Sequence, residues 1–61
     1  MNEVAKQLGF EAEKGMRPAE VLKSNYVGNV SHFDIMKDVV TKEIILKAKD
    51  GALINTGLFI L

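Results

Sequence analysis

Apolar and polar residues alternate along the last third of the chain, in two runs on either side of a glycine turn. The runs cover residues 39–48 and 52–61, and Lys49, Asp50 and Gly51 lie between them. Alternation with a period of two is typical of β-strands, and an Asp-Gly pair between two such runs is typical of a hairpin turn. We therefore predict an antiparallel β-hairpin over residues 39–61.

Two turn geometries fit this hairpin, and the side-chain pattern favours one of them. A three-residue loop closed by a left-handed Gly51 places Leu46 opposite Ile54, whereas a two-residue turn places Leu46 opposite Asn55. Because a slip of one residue moves the apolar set of a strand to its other face, we predict the three-residue loop. The predicted apolar face consists of Val40, Ile44, Leu46, Ala48, Ala52, Ile54, Leu58 and Ile60.

The opposite face of the predicted hairpin carries a second apolar patch. It contains Leu53, Phe59 and Leu61 from the second strand and Ile45 from the first. A strand that is apolar on both faces is usually covered on both faces. A chain of 61 residues has little material left for this cover. We therefore predict that Ile45, Leu53, Phe59 and Leu61 form an oligomer interface.

Helical spacing and helix-ending residues organise the chain before the hairpin. The apolar residues Val4, Ala5, Leu8 and Ala12 recur at three- and four-residue spacing. This spacing predicts a helix over residues 3–14, capped by Asn2 and ending at Gly15, with Gly9 as an alternative end. A second helix is predicted over residues 18–25, because proline is well suited to the first helical position.

The segment before the hairpin fits two interpretations. Ser31 and Asp34 stand at the spacing of a capping box, which favours a short helix over residues 32–38. The alternative is a strand over residues 30–35 with Phe33 and Ile35 on one face. We predict the helix, which gives an α+β fold with two or three short N-terminal helices packed on a C-terminal antiparallel β-hairpin.

The length of the chain bounds its domain organisation. Residues 1–61 are predicted to form a single small domain, mainly helical over 1–38 and a β-hairpin over 39–61. A domain of this size buries only about 60% of its unfolded surface, and a two-stranded hairpin is marginally stable alone. The chain has no cysteines for disulfide bonds. We therefore expect oligomerisation, as a homodimer or a higher oligomer, to complete the sheet.

Charge and hydropathy narrow the choice of partners and location. Eight Lys and Arg residues balance eight Asp and Glu residues, whereas nucleic-acid-binding domains usually carry a basic excess. No apolar run approaches the roughly 20 residues of a transmembrane helix, and the first residues do not resemble a signal peptide. We expect a cytoplasmic protein with no membrane association, for which nucleic acid is not the favoured partner.

Few residues of the sequence are candidates for a catalytic or ligand-binding site. His32 is the only histidine, and residues two apart on a helix, such as His32 and Asp34, do not face each other. Residues 51–57 contain two glycines but lack the Lys-Ser/Thr ending of a phosphate loop. Gly57 lies in a strand position that is typical of a bulge. We predict no catalytic, cofactor-binding or metal site, and therefore no enzyme.

Residues 4–10, VAKQLGF, resemble the first helix and turn of helix-turn-helix regulators. That resemblance implies a DNA-reading helix within a few residues, with polar and basic side chains facing the groove. Residues 11–15, EAEKG, depart from the pattern, since they are acidic and end in a helix breaker. The basic residues available to such a regulator are Lys6, Lys14, Arg17, Lys23 and Lys37.

Two functions follow from these patterns. We predict a small non-enzymatic interaction or regulatory protein that acts as a homo-oligomer, because the hairpin holds more apolar residues than 61 residues can bury. A protein partner is compatible with this interpretation. The alternative is a nucleic-acid-binding transcriptional regulator with an N-terminal segment similar to a helix-turn-helix.

Overall fold

A computed structural model of the chain, which describes residues 2–60, has an α+β fold. The elements are α1 (Asn2–Gln7), α2 (Pro18–Ser24), a 3₁₀ turn (Val30–His32), β1 (Phe33–Lys37), β2 (Glu43–Ala48) and β3 (Leu53–Phe59). The strands form an antiparallel sheet in the order β1-β2-β3. The predicted α+β class and the β2–β3 hairpin are confirmed.

Strand β1 lies where we predicted a short helix over residues 32–38, and that prediction is wrong. It pairs with β2 from Phe33, opposite Ala48, to Lys37, opposite Ile44. Phe33 and Ile35 pack against the core, as the alternative strand interpretation implies. A strand places both on one face, whereas a helix would point residues two apart in different directions. The third strand therefore comes from the chain itself, and completion of the sheet by another copy stays a prediction.

The register of the β2–β3 hairpin is as predicted beside the turn and differs farther from it. The confirmed pairs are Ile45 with Asn55, Leu46 with Ile54 and Lys47 with Leu53. Gly51 has φ of 98° and closes the predicted three-residue loop. Beyond Ile45 the register shifts, so that Glu43 pairs with Phe59 instead of Gly57. Gly57 has φ of 77° at this bulge, a conformation that glycine adopts without steric cost.

The loop between β1 and β2 corrects a further prediction. The alternating pattern predicts Val40 on the apolar face of the hairpin, but Val40 is 84% exposed. Asp38 Oδ1 accepts hydrogen bonds from the backbone N–H groups of Val40 and Thr41, at 2.8 and 3.2 Å. This Asp-centred turn bends the chain before Val40, and β2 begins only at Glu43.

Helix α1 is shorter than predicted and ends at the alternative position. Gly9 has φ of 94°, and its N–H donates to the Lys6 carbonyl at 3.0 Å. The Phe10 N–H donates to the Ala5 carbonyl, also at 3.0 Å. These two bonds form a Schellman termination, which requires a left-handed residue after the helix. The helix therefore stops at Gln7, and the predicted extension to residue 14 is wrong.

Helix α2 begins at Pro18, as predicted, and side chains satisfy N–H groups around its start. Glu20 Oε1 accepts from the Arg17 N–H at 3.1 Å. Asn2 Oδ1 accepts from the Ala19 N–H, also at 3.1 Å. The N–H groups in the first turn have no partner within the helix. Asn2, which we predicted to cap α1, therefore caps α2 and ties the two helices together.

The helices pack on one face of the sheet, which we call the inner face. The buried core consists of Ala5, Leu22, Ile44, Leu46 and Ile60. Leu22 on α2 and Ile44 and Leu46 on β2 are fully buried. The molecule is flat, with a smallest dimension of 15 Å, which fits one layer of helix on one layer of sheet. We call the opposite side of the sheet the outer face.

Candidate interaction surface

The outer face gathers side chains from β1, β2 and β3 into rows across the sheet. Residues that pair directly on neighbouring strands project to the same face. The rows are Asp34, Lys47 and Leu53, then Met36, Ile45 and Asn55, and finally Glu43 and Phe59. We call these eight residues the outer patch.

The apolar members of the outer patch are partly exposed. Met36 is 43%, Leu53 58% and Phe59 54% exposed, and Ile45 between them is half-buried. The structure therefore brings three of the four predicted interface residues to one face, and the fourth, Leu61, lies outside the described residues. Sequence reasoning missed Met36, because its segment was assigned to a helix instead of an alternating strand.

Charged and polar residues border this apolar centre. Asp34 lies directly across from Lys47, an arrangement of opposite charges that stabilises a sheet modestly. Glu43 is held beside the bulge, where Oε2 accepts from the Gly57 N–H at 3.2 Å and Oε1 accepts from Asn55 Nδ2 at 3.3 Å. These two hydrogen bonds hold the Glu43 carboxylate at the register shift.

The edges of the sheet are less suited to association than its outer face. At the β1 edge, Lys23 Nζ donates to the Phe33 carbonyl at 3.0 Å. On β3, the Tyr26 hydroxyl donates to the Thr56 carbonyl at 3.3 Å. The bulge at Gly57 further interrupts β3, and bulges and edge lysines both oppose the addition of another strand. The outer face is consequently the more accessible surface.

His32 lies at the end of the 3₁₀ turn, two residues before Asp34 of the outer patch. Its carbonyl accepts from the Lys49 N–H at 3.1 Å, beside a depression of about 240 Å³. Asp38 lies at the other end of β1, roughly 20 Å away along an extended strand. The N–H groups of Val40 and Thr41 hold the pKa of Asp38 below its usual value. Because they lie at opposite ends of β1, His32 and Asp38 are not brought together.

Two depressions on the described surface are small. A depression of about 290 Å³ is lined by Gln7, Leu8, Phe59 and Ile60. This depression and the one beside His32 fall below the roughly 300–1,000 Å³ of typical small-molecule sites. Residues 2–60 contain no group of three or more His, Asp or Glu side chains placed to hold a metal ion. Among the described helices, none has the length and apolar character to cross a bilayer.

The helical region differs from the arrangement that the helix-turn-helix resemblance implies. Residues 8–17 join α1 to α2, whereas a helix-turn-helix uses a turn of about three or four residues. This connection contains its own tight turn at Lys14 and Gly15, with φ of 49° and 79°. One of the candidate basic side chains, Lys23, is bonded to the β1 backbone.

Comparison with known proteins adds no assignment to this geometry. The chain matches no protein-family model, and neither the curated proteins nor the solved structures contain a significant match. The outer patch is therefore the feature on which we base the function of this chain.

Proposed function

We propose that this chain is a small non-enzymatic interaction protein that acts as a homo-oligomer through its outer patch. The observation that supports this proposal is the exposure of Met36, Leu53 and Phe59 on the face that the helices leave open. Contiguous exposed apolar patches on small soluble proteins commonly mark interaction surfaces. The apolar centre and charged border of the outer patch resemble the core and rim of an interface.

The size of the outer patch predicts weak association. Complete burial of a Leu or Phe side chain stabilises by about 1.5–3 kcal/mol, and Leu53 and Phe59 are already about half buried. Association costs at least about 4 kcal/mol in lost translation and rotation. A three-stranded face is also smaller than the roughly 800 Å² per partner of a standard interface. We therefore expect a dimer with a dissociation constant in the micromolar to millimolar range.

Leu53→Asp tests the proposal most directly. Lys47 lies across from this position, so the new carboxylate has an opposite charge beside it in the monomer. In a dimer it would be buried against an apolar surface, and we expect the dissociation constant to rise by at least about tenfold. Sedimentation velocity over micromolar to millimolar concentrations measures the change, and circular dichroism checks that the variant folds.

Val39→Asp is the matched control. Val39 is 76% exposed but lies in the β1–β2 loop, outside the outer patch. The same substitution there should leave the dissociation constant unchanged. A wild-type chain that sediments as a monomer at every concentration would exclude the proposal, and so would an equal weakening by both variants.

We also propose a cytoplasmic location. A chain without cysteines suits a reducing compartment, where disulfide bonds do not persist. Fractionation of cells that express the tagged chain checks this location, and recovery from an extracytoplasmic fraction would contradict it.

A further inference from the structure

We infer that two copies of this chain stack outer face to outer face, related by a two-fold axis that runs across the strands through the row of Met36, Ile45 and Asn55. This inference rests on the proposed function, and it names the partner as a second copy in one orientation. Two stacked sheets can be related by a two-fold axis that lies between them either across or along the strands. The charges of the outer patch distinguish the two arrangements.

Glu43 and Lys47 lie on β2 at equal distances on either side of Ile45. An axis across the strands reverses the direction of β2, so Lys47 of each copy faces Glu43 of the other. An axis along the strands instead places Lys47 on Lys47 and Glu43 on Glu43. Opposed like charges are unfavourable at an interface. Among the β2 charges, the axis across the strands therefore gives two attractive pairs where the other axis gives two repulsive contacts.

The same operation matches the apolar residues. Leu53 shares a row with Lys47, and Phe59 shares a row with Glu43. Reversal of the strands consequently places Leu53 of each copy against Phe59 of the other. Met36, Ile45 and Asn55 meet their own counterparts in the central row. One rotation thus pairs Leu53 with Phe59 and Lys47 with Glu43, and such pairing of opposite charges is typical of specific interfaces.

The remaining acidic groups are compatible with this arrangement. Asp34 lies beside Lys47 of its own chain. Asp38 is the group that would approach Asp34 of the second copy at a corner of the face, and the Val40 and Thr41 N–H groups of its own loop hold its carboxylate there. Stacked sheets also cross at about 30°, which increases the separation at the corners of the face.

Edge-to-edge pairing of two β3 strands accounts for less of the structure. The bulge at Gly57 interrupts the edge of β3, and a bulged edge resists pairing. Such a pairing would also leave Met36 on β1 and Ile45 on β2 uncovered. Face-to-face stacking covers all the apolar members of the outer patch at once.

Cross-linking of single-cysteine variants tests the orientation, because the chain has no other thiol. In the proposed stack the two thiols of Met36→Cys face each other across sheets about 10 Å apart, within reach of a short bismaleimide. The thiols of Lys47→Cys are separated by a further 14 Å or so along the strands. Above the dissociation constant, we expect Met36→Cys to form a cross-linked dimer and Lys47→Cys to remain single.

Other arrangements give other patterns. The reverse result, with cross-linking of Lys47→Cys alone, would establish the axis along the strands and overturn the inference. Edge-to-edge pairing places the Met36 positions of the two copies about 24 Å apart, so a dimer in which neither variant cross-links also overturns it. A wild-type monomer overturns the proposed function as well, whereas a dimer with the wrong pattern overturns only the orientation.

Complementary charge reversal is the second test. Lys47→Glu and Glu43→Lys each place like charges in both contacts of their own dimer, and each should weaken self-association by about tenfold. An equimolar mixture restores opposite charges in both contacts and should dimerise more tightly than either variant alone. A mixture no tighter than its components would overturn the inference. If circular dichroism shows that Glu43→Lys does not fold, the cross-linking pair decides alone.

Discussion

The two faces of the sheet carry similar apolar side chains in different surroundings. Ile44 and Leu46 point inward and are fully buried beneath the helices, whereas Leu53 and Phe59 point outward and remain more than half exposed. The inner face therefore stabilises the monomer, while the outer face contributes little until another surface covers it. Alternation along the strands separates these two roles, since neighbours such as Ile44 and Ile45 belong to opposite faces.

The largest predicted difference between the faces is the loss of stability when a leucine on each face is replaced by alanine. Leu46→Ala should destabilise the chain by about 3 kcal/mol, because it removes a fully buried side chain and leaves a cavity. That loss is comparable to the whole stability of many domains of this size, roughly 3–5 kcal/mol. We expect the variant to be largely unfolded in urea titrations followed by circular dichroism.

Leu53→Ala is the matched control on the outer face. At concentrations where the chain is monomeric, it should cost no more than about 0.5 kcal/mol, as exposed positions usually do. Equal losses from Leu46→Ala and Leu53→Ala would show that the two faces contribute equally to the fold. Such a result would remove the distinction on which the proposed function depends.

The register that buries the inner face could be predicted from the sequence near the hairpin turn. Gly51 closes the loop, and only one register buries Leu46 opposite Ile54. Pro18 similarly fixes the start of α2. In these places the local conformational preference and the pattern of burial agree.

Strand β1 and the full outer patch could not be predicted without information about tertiary structure. Phe33 and Ile35 form an apolar run too short to distinguish a strand from a helix, and only pairing with β2 decides for the strand. Without that strand, Met36 could not be predicted as part of the outer patch. A glycine within a strand is typical of a bulge, but sequence spacing does not reveal the contact found there, in which the Glu43 side chain accepts from the Gly57 N–H across the hairpin.

Gly57→Ala tests the bulge that sets the pairing of Glu43 with Phe59. Gly57 has φ of 77°, and an added Cβ would have no heavy atom within 4 Å. The cost is therefore conformational, about 1 kcal/mol for a left-handed residue with a side chain. We expect a lower urea midpoint at an unchanged slope.

Gly28→Ala provides the control, since Gly28 also has open space around it but lacks a positive φ. It should be neutral or slightly stabilising, because alanine restricts the unfolded chain. If both glycine substitutions cost the same, the left-handed conformation at Gly57 is not what holds the bulge.

The smallest predicted effect belongs to Asp38, which lies in the loop between β1 and β2. This effect is seen only as a dependence of stability on pH. The Val40 and Thr41 N–H groups lower the pKa of its carboxyl from the usual 3.8. A carboxyl whose pKa is lower in the folded state contributes stability above its unfolded pKa, and loses that contribution as the pH falls through the folded pKa.

Asp38→Asn keeps an oxygen acceptor but does not titrate. The stability difference between wild type and Asp38→Asn should therefore be constant near neutral pH and change below about pH 4. Urea midpoints of both proteins from pH 7 to pH 2.5 or so measure this change, and a difference that stays constant over the whole range would contradict the role of the loop hydrogen bonds.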